Sequence, residues 1–351
     1  MSPETANHMK WHFNGRVKEG LLRHLANSET WNLFDSEYIE YSSEPRNVRL
    51  GLAANGFNPY GNISSIHGTW PIIFIPYNLP PWMCMKMSFF MLSLLIPNPT
   101  SPGNNIDVYL QPLIEELKDL WDVRVKMFDV SSKKSFQMHA TLLWTISDFP
   151  ACGDISGWNT KGALTCLPYN YDSQSRWLKY ERKFSYIGYR RFSDSDHKFR
   201  KQKQSFDGHV DTRSAPITIS EREIMLQTNA IVNHVYGKKT FNLFNKRKKG
   251  EKALIVWKKI SIFFTLPYWE DHVLHHNLDV MHIEKNVVDN IIDKLLNLDG
   301  KTKDNLKTHQ DLKDMGIRSE LHWEKVENDQ TRMPHACYHM NASEKDSFYM
   351  F

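Results

Sequence analysis

Cysteine is scarce in this chain. Its 351 residues include four, Cys84, Cys152, Cys166 and Cys337. They are too few and too scattered for a disulfide framework, which points to a reducing compartment. Long apolar runs are also missing. The longest, Phe89 to Ile96, falls far short of the roughly 20 residues that cross a bilayer. The opening MSPETANHMKWH has no apolar core of a signal peptide, and no internal repeat is visible. These absences argue against secreted, membrane-spanning and solenoid classes and for a soluble intracellular protein. Apolar side chains are not short: 41% of residues are hydrophobic and 13% aromatic, enough for a large core.

The net charge of +4 conceals a polarised distribution. Arg176 to Lys203 carries +7 and Lys238 to Lys259 carries +8, which leaves −11 for everything else. Such segregation suits a polyanionic partner, although charge runs are commonly just solvated loops.

Residues 1–45 are polar, with Leu21, Leu22, Leu25, Trp31 and Phe34 at roughly helical spacing, and read as a helical lead-in. From residue 46 the pattern becomes β-like: Val48 to Ala54, Trp70 to Tyr77 and Phe89 to Ile96, with prolines at their ends. Near-continuous apolar runs predict strands covered on both faces. A helical stripe follows in 104–121, with an Asn available as N-cap and Pro112 bending it or marking its first turns. Phe136 to Ser147 reads as a fourth strand. Three strands, a helix and a strand begin an RNase H-like α/β fold, in which strand one lies beside strand four, so Asn55 and Asp148 should converge. Residues 278–300 give the clearest helix, with Val280, Ile283, Val287 and Ile291 on an apolar face and Glu284 on the polar one.

Several segments are long and unusual: "GLAANGFNPYGNISS", "WPIIFIPYNLPPWMCMK", "MHATLLWTISDFPACGDISGWNTKG" and "LPYWEDHVLHHNLDVMHIEKNV". They resemble the plant CACTA (En/Spm) class of DNA transposase over roughly residues 3–345. The resemblance implies a DDE-type RNase H-like catalytic domain that cuts terminal inverted repeats and joins the freed 3′ ends to target DNA. Members of the class are much longer, so the chain reads as a truncated and mutated one. The expected segments are a lead-in (1–45), a partial RNase H-like core (46–165), a basic insert with a degenerate zinc-site pattern (166–210), a basic and helical region (211–300) and a truncated extension (301–351).

The chemistry of the class needs two Mg²⁺ ions held by three carboxylates. The resemblance puts the first at Asn55, where the family form AADGFNP has Asp. By residue type Asn55-Gly56 is a turn dipeptide; by the resemblance it is a lost metal ligand. Asp148 matches the second acid and the ancestral Mg²⁺ ligand; on its own it reads as a strand-terminal or helix-capping Asp. Asp154 is a lesser neighbour. The third acid is expected beyond a His-x-x-x-His pair and is absent from this chain, and the internal substitute Glu284 reads as a solvated side chain. The resemblance also implies a former Zn²⁺ site. Of its ligands only Cys166 remains, with Tyr169, Ser185 and Tyr189 where Cys, Cys and His are expected. His272 and His276, spaced for one helical face, and their neighbours His275 and His282 read as packing or capping residues more readily than as ligands.

The resulting expectation is a transposase-derived protein, catalytically inactive, retaining neither Mg²⁺ nor Zn²⁺ and located in the nucleus. Its partner is DNA, bound weakly and without sequence preference through Arg190, Arg191, Lys246, Arg247, Lys248 and Lys249. The last four could equally be an import signal. The rivals are a retained non-enzymatic nucleic-acid-binding protein and an active metal-dependent nuclease.

Overall fold

The computed structural model describes residues 2–17, 19–58, 68–98, 101–229, 231–232, 235–237, 241–242, 256–298, 300–326, 331–334 and 336–350. In chain order the strands that matter are β1 (Val48–Ala54), β2 (Gly68–Pro76), β3 (Met91–Asn98), β4 (Val125–Asp129), β5 (Lys134–Met138), β6 (Ala140–Ser147), β7 (Ser175–Leu178), β8 (Lys183–Tyr186), β9 (Ile231–Val232), β10 (Phe241–Asn242) and β11 (His276–Leu278). The chain forms two units, residues 1–160 with 220–279 and residues 161–219 with 280–351.

The first unit is mixed α/β, built on a five-stranded sheet in the order β11-β6-β1-β2-β3. β1, β2 and β3 run antiparallel in succession, while β6 lies parallel to β1 and β11 parallel to β6. The apolar run ATLLWTIS explains the central place of β6, which is buried at all but one position. Gly51 in β1 is needed for a close approach: a Cβ there would lie 2.3 Å from the Tyr77 ring. The pairing of β1 with β6 shifts register at that same glycine.

Helix Ile106–Asp122 buries Ile106, Leu110, Leu113, Ile114 and Leu117; of the stripe expected from the sequence (Ile106, Tyr109, Leu110, Leu113, Leu117 and Trp121), Tyr109 is exposed. Pro112 lies inside it without ending it. Asn105 is not its side-chain cap; a 3₁₀ turn, Gly103–Asn105, leads in instead. Trp31 and Phe34, buried by helix Glu29–Glu37, join the same core.

Three expectations are corrected. The strand expected over 136–147 is two strands: β5 pairs back on β4 as a hairpin, and β6 begins at Ala140. The Asp129 carboxylate makes that turn by accepting from the N–H groups of Ser131 and Ser132. The helix expected from residue 278 starts at Val280, and Leu278 instead closes the strand β11 (His276–Leu278). β3, expected to be covered on both faces, leaves Met91, Leu92 and Leu95 exposed because it is the outer strand of the sheet. Residues 1–45 and 220–279 belong to the same unit as the sheet, of which β11 is a strand.

In the second unit β7 and β8 form a hairpin. Helix Leu306–Met315 secures its turn, because both oxygens of the buried Asp311 accept N–H groups, from Tyr180 and Glu181, each at 3.0 Å. Helix Val280–Leu295 has the expected amphipathic sequence but no buried residue; its apolar face stands exposed, and burial begins at Leu296.

Candidate functional site

Because β1, β6 and β11 are neighbours and parallel, their C-terminal ends lie along one edge of the sheet. In open α/β sheets that edge is where sites are built. The residues that follow the three strands are Asn55, Asp148 and Asp279. Asn55 and Asp148, 93 positions apart, meet directly: the Asp148 N–H donates to Asn55 Oδ1 at 2.7 Å. Asp148 is also the N-cap of helix Phe149–Ser156, its Oδ1 accepting the Ala151 N–H at 2.7 Å. The Asp279 N–H donates to Ser147 O at 2.8 Å, carrying the β6–β11 ladder to the site's edge. Asp279 is not legible as a site residue in the sequence, since three residues of strand give no periodicity. The available signal was an acid between a short apolar step and a strong helix.

The residues present do not fit a pair of Mg²⁺ ions. Mg²⁺ favours anionic oxygens in near-octahedral geometry, and Asn55 presents a neutral oxygen already engaged by Asp148. One oxygen of Asp148 is committed to its helix. Among the described residues no group of three or more His, Cys, Asp or Glu converges as a metal site. Asp154 accepts from the Ser101 hydroxyl at 2.6 Å, and Glu284 is exposed on helix Val280–Leu295.

Cys166, Tyr169 and Tyr189, three of the four positions to which the resemblance assigns zinc ligands, line one cavity of about 180 Å³. Ser185 is not part of its wall. Burial raises the Cys166 thiol, which disfavours the thiolate that zinc requires. One thiol and two phenols do not make a zinc site.

The histidines at 272–276 belong to the core. His272 stacks on Phe34 with centroids 4.9 Å apart, and burial holds its pKa well below the ordinary value. Burial likewise lowers His275 to about 3. His276 Nδ1 lies 2.7 Å from Thr145 Oγ1, which fixes β11 beside β6.

The cations sort differently from the sequence expectation. Arg190 and Arg191 are buried rather than presented at a surface. Arg190 donates to Asp207 at 2.6 Å and to the carbonyls of Phe199, Gln202 and His209. Arg191 holds both oxygens of Asp172, at 2.9 and 2.7 Å, and Ser214 O. The buried Arg200 binds the carbonyls of Arg191, Ser193 and Arg213. Guanidinium groups, with five donors each, here tie the loops of the second unit together. Lys259, counted in the second basic stretch, is buried with its Nζ 2.7 Å from Asp107. Burial pushes Asp107 up to about 6 and Lys259 down, and each partner opposes the other's shift. Trp257 is buried against Trp158. Lys246, Arg247, Lys248 and Lys249 lie outside the described residues.

The sequence profile of transposase family tnp2 matches residues 19–231, more than half of the chain, from within the lead-in to the first residue of β9. No curated protein matches the chain.

Proposed function

The chain belongs to transposase family tnp2, and on that premise we propose that it is a CACTA (En/Spm)-type derivative of plant origin with an RNase H-like core, one that holds DNA in the nucleus without cutting it. The strand order β11-β6-β1-β2-β3 supports the fold reading, since the helix-linked β6 lies parallel beside β1. The observation that carries inactivity is the hydrogen bond of Asp148 to Asn55. A neutral amide stands where a shared carboxylate would have to bridge two cations. Losing one ligand of a two-metal centre removes several kcal/mol of transition-state stabilisation, at tenfold in rate per ~1.4 kcal/mol. DNA is held non-specifically and weakly, at about micromolar affinity or weaker, as phosphate contacts alone give.

A second reading, a residual metal-dependent nuclease, is favoured by Asp279 at the neighbouring strand end. One experiment separates the two. The purified protein is incubated with supercoiled plasmid and Mg²⁺ or Mn²⁺, and its binding to the same DNA is measured across salt concentrations. Salt-sensitive binding without nicking supports the first reading. Nicking abolished by both Asp148→Ala and Asp279→Ala would establish the second.

A further inference from the structure

The cavity lined by Cys166, Tyr169, Tyr186, Tyr189, Phe192 and Pro216 lies wholly within the second unit. We propose that it receives one unstacked nucleobase of single-stranded DNA. The inference rests on the DNA-holding role proposed above and names the form of DNA that this surface prefers.

Three of its rings are uncovered: Tyr186 is 47% exposed, Tyr189 59% and Phe192 57%. A single exposed ring is ordinary, but three around one concavity form an apolar patch that needs an explanation. Tyr169 and Phe192 pack with centroids 5.5 Å apart at 50°, so one wall is rigid before anything binds. The wall also carries Ser173, whose buried hydroxyl has no hydrogen-bond partner among the described residues. A hydroxyl both donates and accepts, which suits the polar edge of any base and selects none.

The surroundings choose the occupant. The turn of the β7–β8 hairpin presents the exposed Arg182, Lys183 opens β8 with its Nζ 2.8 Å from Glu181, and Arg176 on β7 lies opposite Ser185, next to Tyr186. Lys198, Lys201 and Lys203 are exposed farther along the same unit. A planar π-surface, a polar edge and an anionic tether are the features of a nucleotide in a strand, and aromatic platforms flanked by cations are how such strands are gripped. Arg191 also lines the cavity, but its donors are taken by Asp172 and Ser214. It fixes the wall rather than the ligand. The phenols at positions 169 and 189 thus supply stacking surface where metal ligation has been lost.

The test compares a short oligothymidylate, the same strand with every base removed, and a duplex of equal length, each titrated into the full chain. Stacking of a base on an aromatic side chain is worth about 5- to 150-fold in affinity, so the base-bearing strand should bind at least about fivefold more tightly than the abasic one. Tyr189→Ala combined with Phe192→Ala should bring that ratio to about one and leave duplex affinity unchanged. Tyr189→Phe should preserve the ratio, and thermal melting checks that each variant is folded. Equal binding of base-bearing and abasic strands, or a ratio indifferent to the double variant, overturns the nucleobase site while duplex binding keeps the broader reading. Absence of binding to all three probes removes both.

Discussion

Asn55 and Asp148 are joined side chain to backbone: the Asn55 carbonyl oxygen accepts the Asp148 N–H at 2.7 Å. The bond ties the end of β1 to the point where β6 turns into a helix. The amide therefore has a structural use of its own, whatever residue preceded it. Asn55→Leu should destabilise the protein by about 1–3 kcal/mol, the cost of stranding a partly buried donor. Asn55→Asp keeps the acceptor and should stay close to wild type. Urea unfolding of the two variants checks this; equal losses would mean that the bond contributes nothing.

Asn55→Asp should also fail to restore plasmid nicking in Mg²⁺ or Mn²⁺, since one oxygen of Asp148 remains committed to Ala151 as a helix cap. Asp148→Ala should cost about 0.5–2 kcal/mol of stability through that lost cap. A revertant that nicks DNA would refute the claim that more than one ligand is missing.

Acid should unfold the protein early. Burial lowers His12 to about 3, His24 to about 4 and His275 to about 3, while the unfolded chain takes up these protons near 6.5. Below that pH the unfolded state binds more protons, so stability falls as pH drops from about 6.5 towards about 3, by up to about 2 kcal/mol per histidine at pH 5. Asp107, raised to about 6, works in the opposite direction over its own window but is a single group. The melting temperature should be clearly lower at pH 5 than at pH 7; a flat profile would count against these histidines being buried and neutral.

Lys259→Met should destabilise by about 3–5 kcal/mol at neutral pH, because it leaves Asp107 buried without its cation. The double variant Lys259→Met with Asp107→Leu should recover much of the loss. Chemical denaturation across this double-mutant cycle measures the coupling, and simple additivity would argue that the two groups do not pair.

The arginines and the basic run should separate in a salt titration. Neutralising Lys246, Arg247, Lys248 and Lys249 together should flatten the slope of log K against log salt by up to about 3–4 units if each meets a phosphate. Arg191→Ala should instead lower the melting temperature, since it leaves the Ser214 carbonyl and Asp172 without their donor. If Arg191→Ala changed only the slope, its place in the wall of the second unit would be wrong.

The buried strands were readable because such a strand needs a nearly unbroken apolar run, and β1, β2 and β6 have one; β3 has such a run too, yet as the outer strand it leaves Met91, Leu92 and Leu95 exposed. β11 was not readable, because three residues, His-Asn-Leu, leave no period to detect. The β4–β5 hairpin escaped because most of β4 is exposed and its alternation is weak. Charge counting located the basic segments correctly but could not tell Lys203, which faces solvent, from Arg190, whose donors are consumed indoors. Composition fixes how many cations a segment has, whereas their availability depends on which carbonyls and carboxylates the folded loops bring within reach. The juxtaposition of Asn55 and Asp148 was foreseen from element order; the amide's engagement with the Asp148 backbone was not.

β11 contacts β6 across a long detour: Thr145 and the His276 that hydrogen-bonds it are 131 positions apart. During synthesis at about 5–20 residues per second, β6 therefore leaves the ribosome roughly 7–26 s before its outer neighbour exists. For that interval its apolar flank is an open edge, the kind of surface that recruits foreign strands. Nascent chains of this protein should thus depend on chaperone cover in proportion to how slowly the intervening codons are read, and a ribosome paused within that detour would prolong the exposure.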